Sequence, residues 1–209
     1  MRVRVDGRLC ILLVVVVACG AISAACLGRT VTSLWESLLV WLIIAAAAGW
    51  HELGHVAAAW GLGVRIRGLR MDILGARLEL TGLLSYGQEF FVAAGGPFFS
   101  WVGAALVDPL AGGREGLELL GGVSLALGVV NLLPVGTLDG GRMLRCLAAW
   151  MWGDAAATTA LRVTTGICLG GLWLVAMYAL LRRAEMLSVF AFSLCLLWRA
   201  MGDGVLSRS

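Results

Sequence analysis

The sequence predicts an α-helical polytopic membrane protein, with about six transmembrane helices and a small membrane-associated β-hairpin between the second and the third. Of its 209 residues, 60% are hydrophobic and only 14% are charged, and the mean hydropathy is +0.93. These values are typical of polytopic membrane proteins and exclude an ordinary soluble domain. The net charge of +3 is too small and too dispersed to indicate a nucleic-acid partner.

The first predicted helix belongs to an N-terminal domain, residues 1–30. A basic segment, Met1 to Arg8, precedes an apolar run from Leu9 to about Leu27. The run is long enough to cross a bilayer, so we expect a transmembrane helix. A cleaved signal peptide is the alternative, because Val16-Val17-Ala18-Cys19 resembles a lipoprotein cleavage site.

The second predicted helix opens the central domain, residues 31–154. Ser33-Leu34-Trp35-Glu36 is typical of a capping box, so this helix is expected to begin at Thr32 or Ser33 and to end near Gly61. The polar stretch from Gly61 to Gln88 follows, and alternation of apolar and polar residues from Ala76 to Thr81 predicts the β-hairpin there. A solvated loop without strands is the alternative.

Two more spans and a short helix complete the central domain. The spans are predicted at Phe90 to Val107, with local irregularity at Pro97, and at Leu117 to about Leu133. Asp108 to Gly116 is predicted to be the loop between them. A short helix is expected to follow the second of these spans and to end at Trp152.

The C-terminal domain, residues 155–209, contains the fifth and sixth predicted helices. Val163 to Leu181 is a clear span, whereas Met186 to Met201 is short and is interrupted by Arg199, so it either crosses at a tilt or lies in the interface. With the N-terminus inside, twelve of the 16 arginines fall in inner segments. The positive-inside rule therefore predicts a multi-pass protein of the cell membrane, with the C-terminal end of the second helix at the cytoplasmic face.

A candidate metal site lies near that end, in the sequence His51-Glu52-Leu53-Gly54-His55. Residues four apart on a helix share one face, so two imidazoles can bind one metal ion while Glu52 lies beside them. This is the His-Glu-x-x-His arrangement of zinc peptidases, in which the carboxylate takes a proton from metal-bound water. The chain has just 2 His, and both belong to this pattern.

A catalytic zinc usually takes three protein ligands, and no third histidine exists here. Asp139 is the preferred third ligand, because it directly follows a span that ends on the same side as His51. Glu79 and Glu89 are alternatives, and a thiolate is less favoured, since the six cysteines occur singly and are interpreted as buried hydrophobic residues. Gly140 and Gly141 are expected to let the backbone approach the metal-binding helix.

The chain resembles the site-2 protease family of intramembrane zinc metalloproteases, and its compact form is similar to the subgroup containing the sporulation protease that processes a sigma-factor precursor. The motifs that carry the resemblance are His51-Glu52-x-x-His55, Gly96-Pro97-x-x-Ser100, Asn131-x-x-Pro134 and Leu138-Asp139-Gly140-Gly141. Together they cover about Ser33 to Trp152.

The resemblance implies one Zn²⁺ per chain, held by His51, His55 and Asp139, with Glu52 as general base. It also implies substrate or oxyanion contacts from Asn131, with Pro134 and Ser100 as further candidates. The implied activity is hydrolysis of a peptide bond in or next to a transmembrane segment of a membrane-anchored substrate. A regulatory membrane partner and a homo-oligomer are compatible with it.

Two other classes of function are weighed against proteolysis. A catalytically inactive metal-binding scaffold, or pseudoprotease, would keep the fold and the metal but would not need Glu52. A metal transporter is less favoured, because the other spans provide no charged path. If the chain is a protease, a strand near Arg77 to Thr81 offers an edge to which an unwound substrate can pair.

Overall fold

The structure is a computed structural model that describes residues 2–5, 31–72 and 75–182. The apolar runs predicted as the first and sixth helices lie outside the described residues. The described elements, in chain order, are β1 (Arg2–Val5), α1 (Val31–Gly61), β2 (Ile66–Asp72), β3 (Gly75–Leu80), α2 (Tyr86–Ala111), α3 (Glu115–Asn131), α4 (Asp139–Trp152) and α5 (Asp154–Arg182).

Within the described residues, three helices are long and apolar enough to cross a membrane. Their candidate spans are Leu38–Gly61 in α1, Tyr86–Ala111 in α2 and Asp154–Tyr178 in α5. The mostly helical, membrane-compatible architecture is therefore confirmed, whereas the count of six spans is not. Helix α3 has 17 residues, which at 1.5 Å per residue is about 25 Å, less than the hydrocarbon thickness of about 30 Å.

Three details of the helix boundaries differ from expectation. Helix α1 begins at Val31, so Ser33 lies inside its first turn and is not its N-cap. Helix α2 continues without interruption through Pro97, where an irregularity was predicted; membrane helices tolerate proline when neighbouring groups satisfy the freed backbone carbonyl. The same helix extends to Ala111, which leaves a shorter loop before α3 than the sequence predicted.

The described chain divides into two compact units, and the first contains the residues up to Leu83 together with Phe98–Gly128. Its sheet has the order β1-β2-β3. Strand β1 runs parallel to β2, while β2 and β3 are antiparallel, with Asp72 opposite Gly75 and an irregular register between Ile66 and Gly68. The antiparallel pair lies in the predicted polar stretch; its association with the membrane stays a prediction.

The helices of the first unit approach each other closely at glycines. A Cβ on Gly103 of α2 would lie 2.7 Å from Nε1 of Trp50 on α1, and a Cβ on Gly128 of α3 would lie 2.8 Å from Cδ1 of Trp101. Real Cβ atoms do not come so close, so both indoles fill space that only glycine leaves open. Small residues at such crossings are the usual means by which membrane helices pack.

The second unit contains Leu84–Pro97 and the described residues from Val129 onward. Helix α4 ends at Trp152, and its C-cap residue is Gly153, whose φ of +83° is readily adopted only by glycine; α5 begins at Asp154. The two helices pack against each other through a cluster of three buried alanines: Ala148, Ala149 and Ala157. A second cluster packs Val135, from the segment between α3 and α4, against Leu169 on α5.

Candidate metal centre

His51 and His55 lie one turn apart on α1, as the motif predicts, and both are buried, at 4% and 6% exposure. Their Nε2 atoms are 3.3 Å apart and their ring planes are 82° apart. This separation suits an Nε2–H···Nε2 hydrogen bond in the metal-free chain. It equally suits two ligands that direct their lone pairs at one ion.

The other ring nitrogen of His51 contacts α2. Its Nδ1 lies 2.9 Å from the Oγ of Ser100, which is 0% exposed. Beside this contact, the indole N–H of Trp50 donates a hydrogen bond of 2.7 Å to the carbonyl oxygen of Phe99. Consecutive residues of α1 are therefore linked to consecutive residues of α2.

Glu52 follows His51 on α1 and is half-buried. Its Oε2 atom is shielded from solvent. A carboxylate that follows a ligand histidine directly lies one helical step, about 100°, around the axis, at the border of the ligand face. Its role as a general base stays a prediction.

Asp139 is the first residue of α4 in the second unit and is 9% exposed. The guanidinium of Arg142, one turn later, lies 3.8 Å from Asp139 Oδ1, and its Nε lies 4.0 Å from Oε1 of Glu89. Glu89, an alternative third ligand, is thus close to a cation. The side chain of Glu79, the other alternative, lies outside the described part of the structure.

The carboxylate of Glu89 also affects a neighbouring thiol. Burial raises the pKa of Cys146 on α4 to about 11, and the charge of Glu89 and a hydrogen bond to it add to the effect. At neutral pH this thiol is therefore protonated, and a protonated thiol is a poor metal ligand. Cys146 is accordingly a buried structural residue, as the sequence predicts for its cysteines.

The ligand atoms offered by His51, His55 and Asp139 all lie within 4.8 Å of one another, which makes these residues a possible metal-binding site. Asn131, at the end of α3, and Pro134, in the segment after it, are both half-buried in the second unit. Their contacts to substrate stay predictions, as do the catalytic roles of the other residues.

Gly140 and Gly141 lie close to the backbone that precedes them. A Cβ on Gly140 would collide with the carbonyl oxygen of Leu132, and a Cβ on Gly141 with that of Val135. The approach to the metal-binding helix that the sequence predicts stays a prediction. The pair of glycines lets the preceding segment fold back on the start of α4.

Thr165 on α5 has a role that the sequence did not reveal. Its hydroxyl is 0% exposed and accepts a hydrogen bond from the N–H of Gly136. Nothing in the sequence distinguishes it, because helical threonines usually bond to their own backbone, as Thr158, Thr159 and Thr164 do here.

Comparison with known proteins gives a consistent result. Residues 111–174 match the family model described as Peptidase family M50. The chain is 33% identical over 126 residues to a putative zinc metalloprotease of Synechocystis sp.. It is 29% identical over 131 residues to a zinc metalloprotease of Methanocaldococcus jannaschii.

These matches cover 56% and 59% of the chain but only 33% and 38% of the two relatives, so the chain spans about a third of the relatives' length. Among solved structures, the site-2 protease from Methanocaldococcus jannaschii matches with a TM-score of 0.70 at 19% identity, over 99% of this chain and 92% of that one. At this identity the match shows a shared fold.

Proposed function

We propose that this chain, which carries a Peptidase family M50 domain and has the fold of a site-2 protease, is an intramembrane zinc metalloprotease. It hydrolyses a peptide bond in or next to a transmembrane segment of a membrane-anchored protein. The observation that carries this proposal is the buried group of His51, His55 and Asp139, with Glu52 on the same helix as the two histidines.

The donor set fits zinc. With Zn–N bonds of about 2.05 Å and a tetrahedral angle, two ligand nitrogens are expected about 3.3 Å apart. The Nε2 atoms of His51 and His55 have this separation, 3.3 Å. Two imidazole nitrogens and one carboxylate oxygen are a common ligand set of catalytic zinc and leave a fourth position open. His51, His55 and Asp139 would hold one ion per chain.

The bound zinc would supply a Lewis acid that polarises the scissile carbonyl and lowers the pKa of a water molecule to about 7. Glu52 would accept a proton from the attacking water molecule and donate it to the leaving amine. Asn131 stabilises the developing oxyanion or holds the substrate backbone, and Pro134 shapes the segment beside it. Ser100 is left out of this set, because its side chain is 0% exposed and contacts His51.

The substrate must present extended backbone, because a helical peptide bond is enclosed by its own hydrogen bonds. In the described sheet, β3 has β2 on one side only, so its other edge offers main-chain donors and acceptors. We propose that residues from Arg77 to Thr81 pair with the unwound substrate by strand addition. The arginine distribution favours a multi-pass orientation in which the site faces the cytoplasm, from which water enters.

The decisive experiment compares membrane-protein N-termini in cells that carry the native chain and cells that carry Glu52→Gln. This variant keeps the zinc ligands but lacks the base. The matched control is Glu115→Gln, the same substitution at an exposed position of α3. We expect new termini in or beside transmembrane segments with the native chain and the control, and none with Glu52→Gln.

Zinc content is measured in all three proteins. Identical profiles from native and Glu52→Gln cells, with zinc present in both proteins, would contradict the protease proposal. That result would favour the metal-binding scaffold, which uses the fold and the ion without the base.

A further inference from the structure

His51 has two ring nitrogens, and each has a different neighbour. Its Nε2 lies 3.3 Å from Nε2 of His55, while its Nδ1 lies 2.9 Å from Oγ of Ser100. A neutral imidazole carries one proton, and a nitrogen that binds a metal cannot carry it. If Nε2 is the ligand atom, Nδ1 is protonated and donates to the Ser100 hydroxyl, whose oxygen accepts.

We infer that Ser100 is a positioning residue that fixes the tautomer and the ring plane of His51 for metal binding. This inference rests on the zinc site of the proposed function. Ligand histidines generally donate their second N–H to an outer partner, which orients the ring, and loss of that partner weakens metal binding by about 10–100-fold. Ser100 would provide this partner from a neighbouring helix.

The packing around Ser100 holds its hydroxyl in place. A Cβ on Gly128 of α3 would lie only 3.1 Å from the Cβ of Ser100, so α3 closes directly over this side chain. On the other side, the hydrogen bond from Trp50 to the carbonyl of Phe99 fixes α1 against α2 one residue away. A small hydroxyl side chain fits this enclosed position, and a larger side chain would press against Gly128.

The choice of acceptor also has a chemical consequence. A carboxylate partner would raise the basicity of the ligand imidazole and transfer more negative charge toward the ion. The neutral hydroxyl of Ser100 orients His51 without that charge. The ion would therefore retain more of its Lewis acidity for the scissile carbonyl.

The first test measures zinc affinity of the full chain in detergent by competition with a chromogenic chelator. We expect Ser100→Ala to bind zinc about 10–100-fold more weakly than the native chain. Ser124→Ala, which removes a buried hydroxyl from α3 in the same unit, is the matched control and should bind like the native chain. Zinc binding by Ser100→Ala as tight as that of the native chain would contradict the inference.

The second test observes the imidazole directly. Because the chain has just 2 His, nitrogen-15 labelling of histidine gives spectra of His51 and His55 alone. In the zinc-loaded native protein we expect the Nδ1–H of His51 to exchange slowly with water, with its resonance assigned by correlation to the backbone of His51. In zinc-loaded Ser100→Ala this proton should exchange rapidly.

The outcomes separate the two proposals. Equal zinc affinity and equal proton exchange in the native protein and Ser100→Ala would overturn the role of Ser100 and leave the metalloprotease proposal intact. Failure of the native chain to bind zinc would overturn both. Weaker binding with rapid Nδ1–H exchange in Ser100→Ala, and neither change in Ser124→Ala, would establish Ser100 as the positioning residue.

Discussion

The hydroxyl of Thr165 accepts a 2.9 Å hydrogen bond from the backbone N–H of Gly136. This bond joins α5 to the segment between Asn131 and Asp139, which lies between a proposed oxyanion residue and a proposed zinc ligand. Beside it, Val135 packs on Leu169. The segment contains no helix or strand, and this hydrogen bond and the apolar contact add to the backbone hydrogen bonds of its turns in fixing its position.

Replacement of Thr165 by valine should destabilise the protein. Valine has nearly the same shape but provides no acceptor, so the N–H of Gly136 would lose its partner at a cost of about 1–3 kcal/mol. Thr159→Val is the control, because Thr159 is exposed and donates to its own helix at Ala155. Thermal unfolding in detergent should show a lower Tm for Thr165→Val only. Equal midpoints would show that the bond does not stabilise the fold.

Gly141→Ala should have a comparable or larger effect. Its methyl group would collide with the carbonyl of Val135, and neither backbone can move without displacing the start of α4. Overpacking of this kind costs about 1–3 kcal/mol or more. Gly170→Ala, on α5, has open space for a Cβ and should be neutral or slightly stabilising, since alanine favours helix. A Gly141→Ala protein as stable as Gly170→Ala would contradict this packing.

The candidate metal site could be proposed from the sequence, because three of its four residues are related by local spacing. His51, Glu52 and His55 are related by one helical turn, and an apolar run of this length forms a helix in any membrane context. Asp139 emerged by elimination in a chain that has no third histidine. For these residues, the sequence pattern and elementary helix geometry are sufficient to propose a metal site.

The roles of the surrounding residues could not be predicted, because they depend on how segments of the chain are placed against each other. Ser100 was expected to contact substrate, whereas it contacts His51 next to the place where Gly103 leaves room for Trp50. Gly140 and Gly141 were associated with close backbone approach, but the carbonyls of Leu132 and Val135 could not be foreseen as their neighbours. The contacts of Ser100 and Thr165 join residues 49 and 29 positions apart, and the periodicity of the sequence does not indicate contacts over such separations.

The pH titration of Cys146 offers an independent check on the polar contacts of α4. Its pKa of about 11, against an ordinary 9.0, predicts that the thiolate forms mainly above pH 10. Glu89 contributes to this rise, so Glu89→Gln should shift the titration to lower pH. The measurement is the ultraviolet absorbance of the thiolate, as the difference between native protein and Cys146→Ala. Titration near 9 in the native protein, or no shift in Glu89→Gln, would contradict the contact.

The identity of the third zinc ligand is the last prediction, and two carboxylates can be compared directly. Asp139 is 9% exposed and offers an oxygen within 4.8 Å of the ligand nitrogens of both histidines. Glu89 instead lies 4.0 Å from Arg142 and close to Cys146. Removal of a ligand deletes one bond to the metal ion, whereas removal of a neighbouring charge only changes the electrostatic potential at the ion.

We therefore expect Asp139→Ala to lose stoichiometric zinc and Glu89→Ala to keep one ion per chain. Zinc also stabilises the protein that binds it, by about 4 kcal/mol at a thousand times the Kd. Addition of zinc should accordingly raise the Tm of Glu89→Ala as it does that of the native chain, and leave the Tm of Asp139→Ala unchanged. The opposite pattern would assign the third ligand to Glu89 and would require the carboxylate of Asp139 to act elsewhere.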